Sequence, residues 1–295
     1  MAVITSRTNR INQSSEPTSV AVIWLWGVRL LCLPLLLISA LSLPAWAHEG
    51  LYEQLVAVTQ QIRKAPRNPQ LYLKRGELYR LLQQWDNALD DYRRARQLKP
   101  DMLETDFYCG RMWFEAGEPQ RAKPALDAFL KNTPQHGEAL LMRARVYEKL
   151  KDYRASAADY SHALSSMLGP KPDYFIERAK VQLADGKHAD ALRGLDEAIK
   201  QFGPLVTLQT QAIEIELQQA HWDSALARLD RLTSPAPRKE SYLARRGEIL
   251  LQAGRAAEAR AAFSESLQSI EALPIRLRQT RAMLALEKRV RAALR

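Results

Sequence analysis

Small and large apolar residues return along this chain at a fixed long interval. Ala88, Ala122, Ser156, Ala191, Ala225 and Ala259 are separated by 34, 34, 35, 34 and 34 residues. Large residues four places later keep the same steps: Tyr92, Leu126, Tyr160, Leu195, Leu229 and Phe263. Twelve places before the first row runs a second row of small residues, Gly76, Gly110, Ala144, Ala179 and Gly247, with Ala212 one place out of step in the fifth unit. Tyr79, Trp113, Tyr147 and Leu250 follow that second row three places on. Pro100 and Pro134 close the first two units, and Gly169-Pro170, Gly203-Pro204, Pro235 and Pro274 punctuate the later ones. The pattern predicts two helices per unit. Small residues stand where the two backbones approach, large ones fill the space beside them, and proline ends the second helix.

Six such units run from Pro69 to Leu273. The first is the fullest: Leu71-Tyr72-Leu73-Lys74-Arg75-Gly76-Glu77-Leu78-Tyr79, then Trp85-Asp86-Asn87-Ala88 through Tyr92 to Ala95, then Pro100. On these residues the chain resembles the tetratricopeptide repeat (TPR) family. The resemblance implies an all-α fold, a right-handed α-solenoid of about six helix–turn–helix repeats over 69–273. It also implies non-catalytic work as a scaffold or adaptor that binds a protein or peptide. Gln182, where an aromatic is usual, and the slip before Trp222 mark units four and five as the departures from the pattern.

Flanking helices complete the expected architecture. In residues 48–68, Leu51, Leu55, Val58 and Ile62 lie at helical spacing and predict a helix packed on the first repeat. In 274–295, Leu277, Met283, Leu284, Leu286, Val290 and Leu294 fall broadly on one side of a single helix from Ile275 to Arg295. Arg276, Arg281, Lys288, Arg289, Arg291 and Arg295 fall on the other, the polar outer face that a terminal cap requires.

In TPR proteins the first helix of each repeat lines the concave surface. Three places before the small row stand Leu73, Phe107, Leu141, Ile176, Gln209 and Ala244; one place after it stand Glu77, Arg111, Arg145, Lys180, Ile213 and Glu248. An apolar rail of Leu73, Phe107, Leu141 and Ile176 beside Glu77 and a basic rail of Arg111, Arg145 and Lys180 predicts a groove for a peptide with acidic and apolar side chains. The Lys/Asn pattern of the carboxylate clamp found in some TPR proteins is missing. Arg75, Arg143, Arg178 and Arg246 read as structural, their stems between helices and their heads in water.

Charge narrows the choice of partner. The chain carries a net charge of +10, but residues 1–47 hold three Arg against one Glu, and 274–295 hold six Arg and one Lys against one Glu. The body between them is nearly neutral, which disfavours nucleic acid and leaves peripheral contact with an anionic membrane through 274–295 as an expectation.

Residues 1–47 read as a secretory signal peptide. An apolar run, Leu30–Leu43, follows Arg29 and ends in Ala45-Trp46-Ala47, with polar His48-Glu49-Gly50 beyond. The polar stretch from Thr5 to Ser19 is long for such a leader, and initiation at Val28 would shorten it. The expectation is export to a bacterial periplasm. The rival is an uncleaved inner-membrane anchor drawing on Val20–Gly27 as well.

Cleavage would leave Cys109 as the sole cysteine, a buried and inert thiol. It would also give His48 a free α-amine beside its imidazole, the basis of a rival reading as an exported copper-binding accessory protein. Neither a metal site nor a cofactor is otherwise expected. His136, His162, His188 and His221 fall in linkers, turns and helices about 10 Å apart from repeat to repeat, too far to share an ion. Nor does the sequence carry a phosphate-binding Gly-rich loop, a G-x-S-x-G elbow, C-x-x-C or H-E-x-x-H.

Overall fold

The computed structural model describes residues 46–295, and within it 53–295 form one compact unit. The leader or anchor assigned to 1–47, Cys32, and the side chain of His48 lie outside the described residues. Fifteen helices make up the described part. The opening helix α1 covers Trp46–Lys64. Six helix pairs follow: α2 Pro69–Leu81 and α3 Trp85–Leu98; α4 Glu104–Glu115 and α5 Pro119–Asn132; α6 Gly137–Lys149 and α7 Tyr153–Ser166; α8 Pro172–Ala184 and α9 His188–Phe202; α10 Val206–Gln218 and α11 Trp222–Thr233; α12 Glu240–Gln252 and α13 Ala256–Glu271. A short α14, Ile275–Arg278, and α15, Arg281–Ala293, close the chain. No strand occurs among the described residues, and the architecture is an α-solenoid.

The small rows are buried where the periodicity places them. Ala88, Ala122, Ala191, Ala225 and Ala259 are wholly inaccessible, and Tyr92, Leu126, Tyr160, Leu195, Leu229 and Phe263 are buried beside them. A Cβ built on Gly76 would stand 2.5 Å from the Tyr92 ring, and one on Gly247 would stand 2.7 Å from Phe263. Each glycine therefore admits the ring of its own partner helix. Where the row carries Ala144, Ser156 of α7 instead donates to the Ala144 carbonyl at 2.7 Å. Pro69, Pro119 and Pro172 open α2, α5 and α8, where a missing N–H costs no helical hydrogen bond.

The turn inside each repeat contains one left-handed residue, Gln83, Gly117, Lys151, Gly186, Ala220 and Gly254, with φ between 54° and 80°, seven places after the small row in every repeat but the fifth. This row resolves the irregularity of the fifth repeat. The Ala220 turn reproduces that of Gln83, since Gln84 donates to the Tyr79 carbonyl and His221 to the Glu216 carbonyl, both at 2.9 Å. Counted from the turn, Ile213 and not Ala212 holds the place of Gly76. Gln209 and Ile213 are consequently interior, at 0% and 3% exposure, and not positions on a rail. Neither polar atom of the buried Gln209 amide has a hydrogen-bond partner.

The repeated arginines differ from expectation at their heads. Arg75 holds Asp91 through two hydrogen bonds of 2.7 Å, and Arg143 holds Asp159 at 2.6 and 2.9 Å with Asp127 at 2.9 Å. Arg178 reaches Glu197 at 2.8 Å, and Arg246 pairs with Asp230. Arg75, Arg143 and Arg178 clamp the two helices of their own repeat, while Arg143 through Asp127 and Arg246 through Asp230 also tie a repeat to the one before it. At Arg75 and Arg143 the planar fork gains more from bidentate pairing than from water.

The C-terminal segment is two helices, not one, because the chain turns at Gln279–Thr280. Met283, Leu286 and Val290 of α15 are buried against the last repeat, with Leu294 partly buried beside them. Leu277 and Leu284, expected on that face, are exposed. The turn removes Leu277 from the stripe, and Leu284 points away from Met283, Leu286 and Val290 on the helical wheel.

Candidate partner-binding face

The concave residues of repeats one to four occupy two different environments. Leu73, Phe107 and Leu141 are buried at 5%, 7% and 3% exposure; only Ile176 is partly open. These positions face inward because aromatic and aliphatic neighbours close over them. Phe107 packs with Phe129 and His136, ring centroids 5.3 and 5.4 Å away. His136 also accepts from the Ala139 N–H, capping α6. An apolar rail open along its length does not form.

The basic positions are built into ion pairs between repeats. Arg111 of the second repeat pairs with Glu77 of the first, and Glu77 also accepts from the Tyr92 hydroxyl at 2.5 Å and from Arg80 at 3.2 Å. Arg80 extends this network to Glu115. The Arg111 guanidinium lies 5.4 Å from the Phe107 ring centroid and 5.2 Å from that of Tyr108, with a buried Nε that makes no hydrogen bond. One repeat on, Arg145 donates twice to Glu177, at 2.8 and 3.0 Å, and the Tyr160 hydroxyl donates to the same carboxylate at 2.8 Å. Arg145 also lies 5.9 Å from the centre of the Tyr174 ring. Lys180 is exposed and has no carboxylate partner among the described residues.

Burial alone would raise the pKa of Glu177, but the hydrogen bonds from Arg145 and Tyr160 outweigh it and hold this carboxyl below its ordinary 4.5. Burial and the Glu77 carboxylate push the Tyr92 phenol up, and Glu177 acts likewise on Tyr160. A carboxyl depressed on folding lends stability above its unfolded value and loses it as pH falls through the folded one. Stability should therefore fall below about pH 4.5, and Glu177→Gln should flatten that part of the profile. Urea midpoints of both proteins between pH 3 and 7 check this; identical slopes would remove Glu177 from the account.

Glu177, Tyr160 and Tyr174 were not read from the sequence as site residues. The available signal was the fixed spacing: Glu177 stands 32 residues after Arg145, almost one repeat, as Arg111 stands 34 after Glu77. Among the described residues no three metal-ligating side chains gather. His188 contacts the Gly186 carbonyl, and His221 pairs with Glu216. Cys109, expected to be buried, is only partly buried, and the desolvation it does undergo pushes its thiol up to about 12, the behaviour of an inert cysteine.

Two family models match: one described as tetratricopeptide repeat, over 49–102 and 114–173, and one described as tetratricopeptide repeat-like domain, over 176–283. Together they span about three-quarters of the sequence. The chain belongs to the tetratricopeptide repeat family. No curated protein matches it in sequence. Among solved structures, the C-terminal part of a TPR repeat-containing protein from Cytophaga hutchinsonii superposes with a TM-score of 0.64 at 12% identity, covering 85% of this chain and 96% of that one. A MamA protein superposes at 0.52 with 17% identity over 61% and 96% of the two chains. A tetratricopeptide repeat protein from Parabacteroides merdae ATCC 43184 gives 0.48 at 17% identity over 83% and 99%. Proteins built of this repeat generally bind protein or peptide partners, and neither matching model indicates an enzymatic family.

Proposed function

We propose that this TPR protein is a non-catalytic adaptor of the bacterial cell envelope which holds a peptide segment of a partner on its concave face, around the fourth repeat. The observation that carries this reading is the contrast along the face. Arg111 and Arg145 are committed to Glu77 and Glu177, whereas Lys180 makes no ion pair among the described residues and stands one helical turn from the half-buried Ile176. An unpaired cation next to a partly open apolar side chain suits an acidic residue flanked by a bulky apolar one. The envelope location rests on the leader-like pattern of 1–47.

Reversal of Arg111 or Arg145 would set a new carboxylate beside Glu77 or Glu177 and disturb folding, and Lys180→Glu would also repel Glu177, so Lys180→Gln is the informative variant. Peptides selected by the wild-type protein from a displayed library should be enriched in acidic and bulky apolar residues. They should bind Lys180→Gln about tenfold more weakly, the effect of roughly one lost charge contact. Peptides without that composition, or equal affinity for both proteins, would remove the fourth repeat from the binding face.

A further inference from the structure

The outer side of α15 is left over once the cap has been accounted for. Met283, Leu286 and Val290 attach the helix to the last repeat. Arg278, Arg289 and Arg291 are tied to Glu287, Glu248 and Glu271. Arg276, Arg281, Lys288 and Arg295 remain exposed with no carboxylate partner among the described residues. Arg281 and Lys288 are seven residues apart on α15 and so lie in one line along its solvent side, about 10 Å apart, and Arg295 follows at the same interval just beyond the helix end at Ala293. Between them are Leu284 at 51% exposure and the small, exposed Ala285 and Ala292. Glu287, the one acidic residue of α15, is turned to the flank and neutralised there. At the entrance to the helix Ile275 is 71% exposed and Leu277 is 38% exposed.

Ile275, Leu277 and Leu284 take no part in the core of the last repeat, so the capping role leaves these three aliphatic side chains unused. A partner helix would need an apolar seam, and this line offers a single large aliphatic residue, Leu284, among three cations. We propose that α14 and α15 dock flat on an anionic bilayer. Arg281, Lys288 and Arg295 would lie against the lipid phosphates, with Leu284, Ile275 and Leu277 entering the headgroup boundary. The alanines keep the line shallow, so long cationic side chains reach a planar surface without obstruction. The inference is independent of the concave face and stands or falls without it.

The test is amide hydrogen exchange of the full chain with vesicles of phosphatidylcholine alone, or with about one-third phosphatidylglycerol, at a charge density where surface attraction acts. Reading exchange segment by segment separates this region from the apolar run at Leu30–Leu43, which would treat both vesicles alike. Exchange in 275–295 should slow severalfold on the anionic vesicles only, and the slowing should vanish in about 0.5 M salt, where the screening length is a few ångströms. The variant Arg281→Gln/Lys288→Gln/Arg295→Gln should bind the anionic vesicles about a hundredfold more weakly than wild type, roughly fivefold for each cation removed. It leaves Met283, Leu286 and Val290 in place, so its thermal midpoint should match the wild type. Equal slowing on both vesicles, no slowing on either, or slowing that persists in the variant would overturn the proposal. So would slowing that follows protein concentration without vesicles, which would assign the stripe to a second copy, or capture by a polyglutamate peptide in place of vesicles, which would assign it to an acidic protein.

Discussion

Gly110→Leu is expected to open the second repeat and to destabilise the chain by about 3 kcal/mol or more, at or beyond the usual upper range for overpacking a core. The Cβ alone would stand 2.6 Å from Leu126 Cγ and 2.8 Å from its Cδ2, and Leu126 is wholly buried. A branch carbon held in a filled core has no room to rotate aside, so α4 and α5 must separate. Gly110→Ala isolates the packing effect. Alanine gains about 1 kcal/mol of helix propensity over glycine, yet the same contact should make the net change destabilising by about 1 kcal/mol. Urea unfolding measures the loss, and hydrogen exchange confined to α4 and α5 locates it, because a solenoid loses stability where its nearest-neighbour contacts fail. A leucine variant as stable as the wild type would mean that the helices do not approach as described.

Arg143→Met should cost about 2–3 kcal/mol, below the range for breaking a fully buried pair because the guanidinium is partly solvated. Its side chain is 21% exposed, against 11% for Asp159 and 35% for Asp127. Without it, Asp159 of α7 loses its cation, and Asp127 of α5 keeps only the half-exposed Lys123 at 2.7 Å. Removing the second charge as well should recover much of the loss, so Arg143→Met/Asp159→Asn is expected to be more stable than Arg143→Met. Denaturation of the two single variants and the double variant closes this cycle. Additive losses would show that the pair makes no specific contribution.

These two positions were not equally legible. Gly110 belongs to a row that any reading at a 34-residue step finds, and its role follows from being small opposite Leu126. Arg143 also lies in a visible row, but its partners are 16 residues away on either side, one in the preceding repeat and one in its own. The row pointed to a structural arginine; a head left in water was the part that failed. On the concave face the same limit operated more strongly. Arg111 and Arg145 looked like a free basic rail until Glu77 and Glu177 were found across the repeat boundary. The fifth repeat shows the converse error, since counting from Ala212 instead of the Ala220 turn placed Gln209 and Ile213 on a surface they do not reach.

The sequence by itself determined the all-helical class, the six helix pairs, the buried rows and the polar cap. A helix places residues three and four apart on one side, and a solenoid repeats the same neighbours at constant spacing, so these contacts are written in short, regular intervals. Only the tertiary structure decided which charges remain free. Whether a cation meets a carboxylate depends on which residues of adjacent repeats face each other: Arg145 of the third repeat is held by Glu177 of the fourth, whereas Lys180, on the same helix as Glu177, makes no ion pair among the described residues.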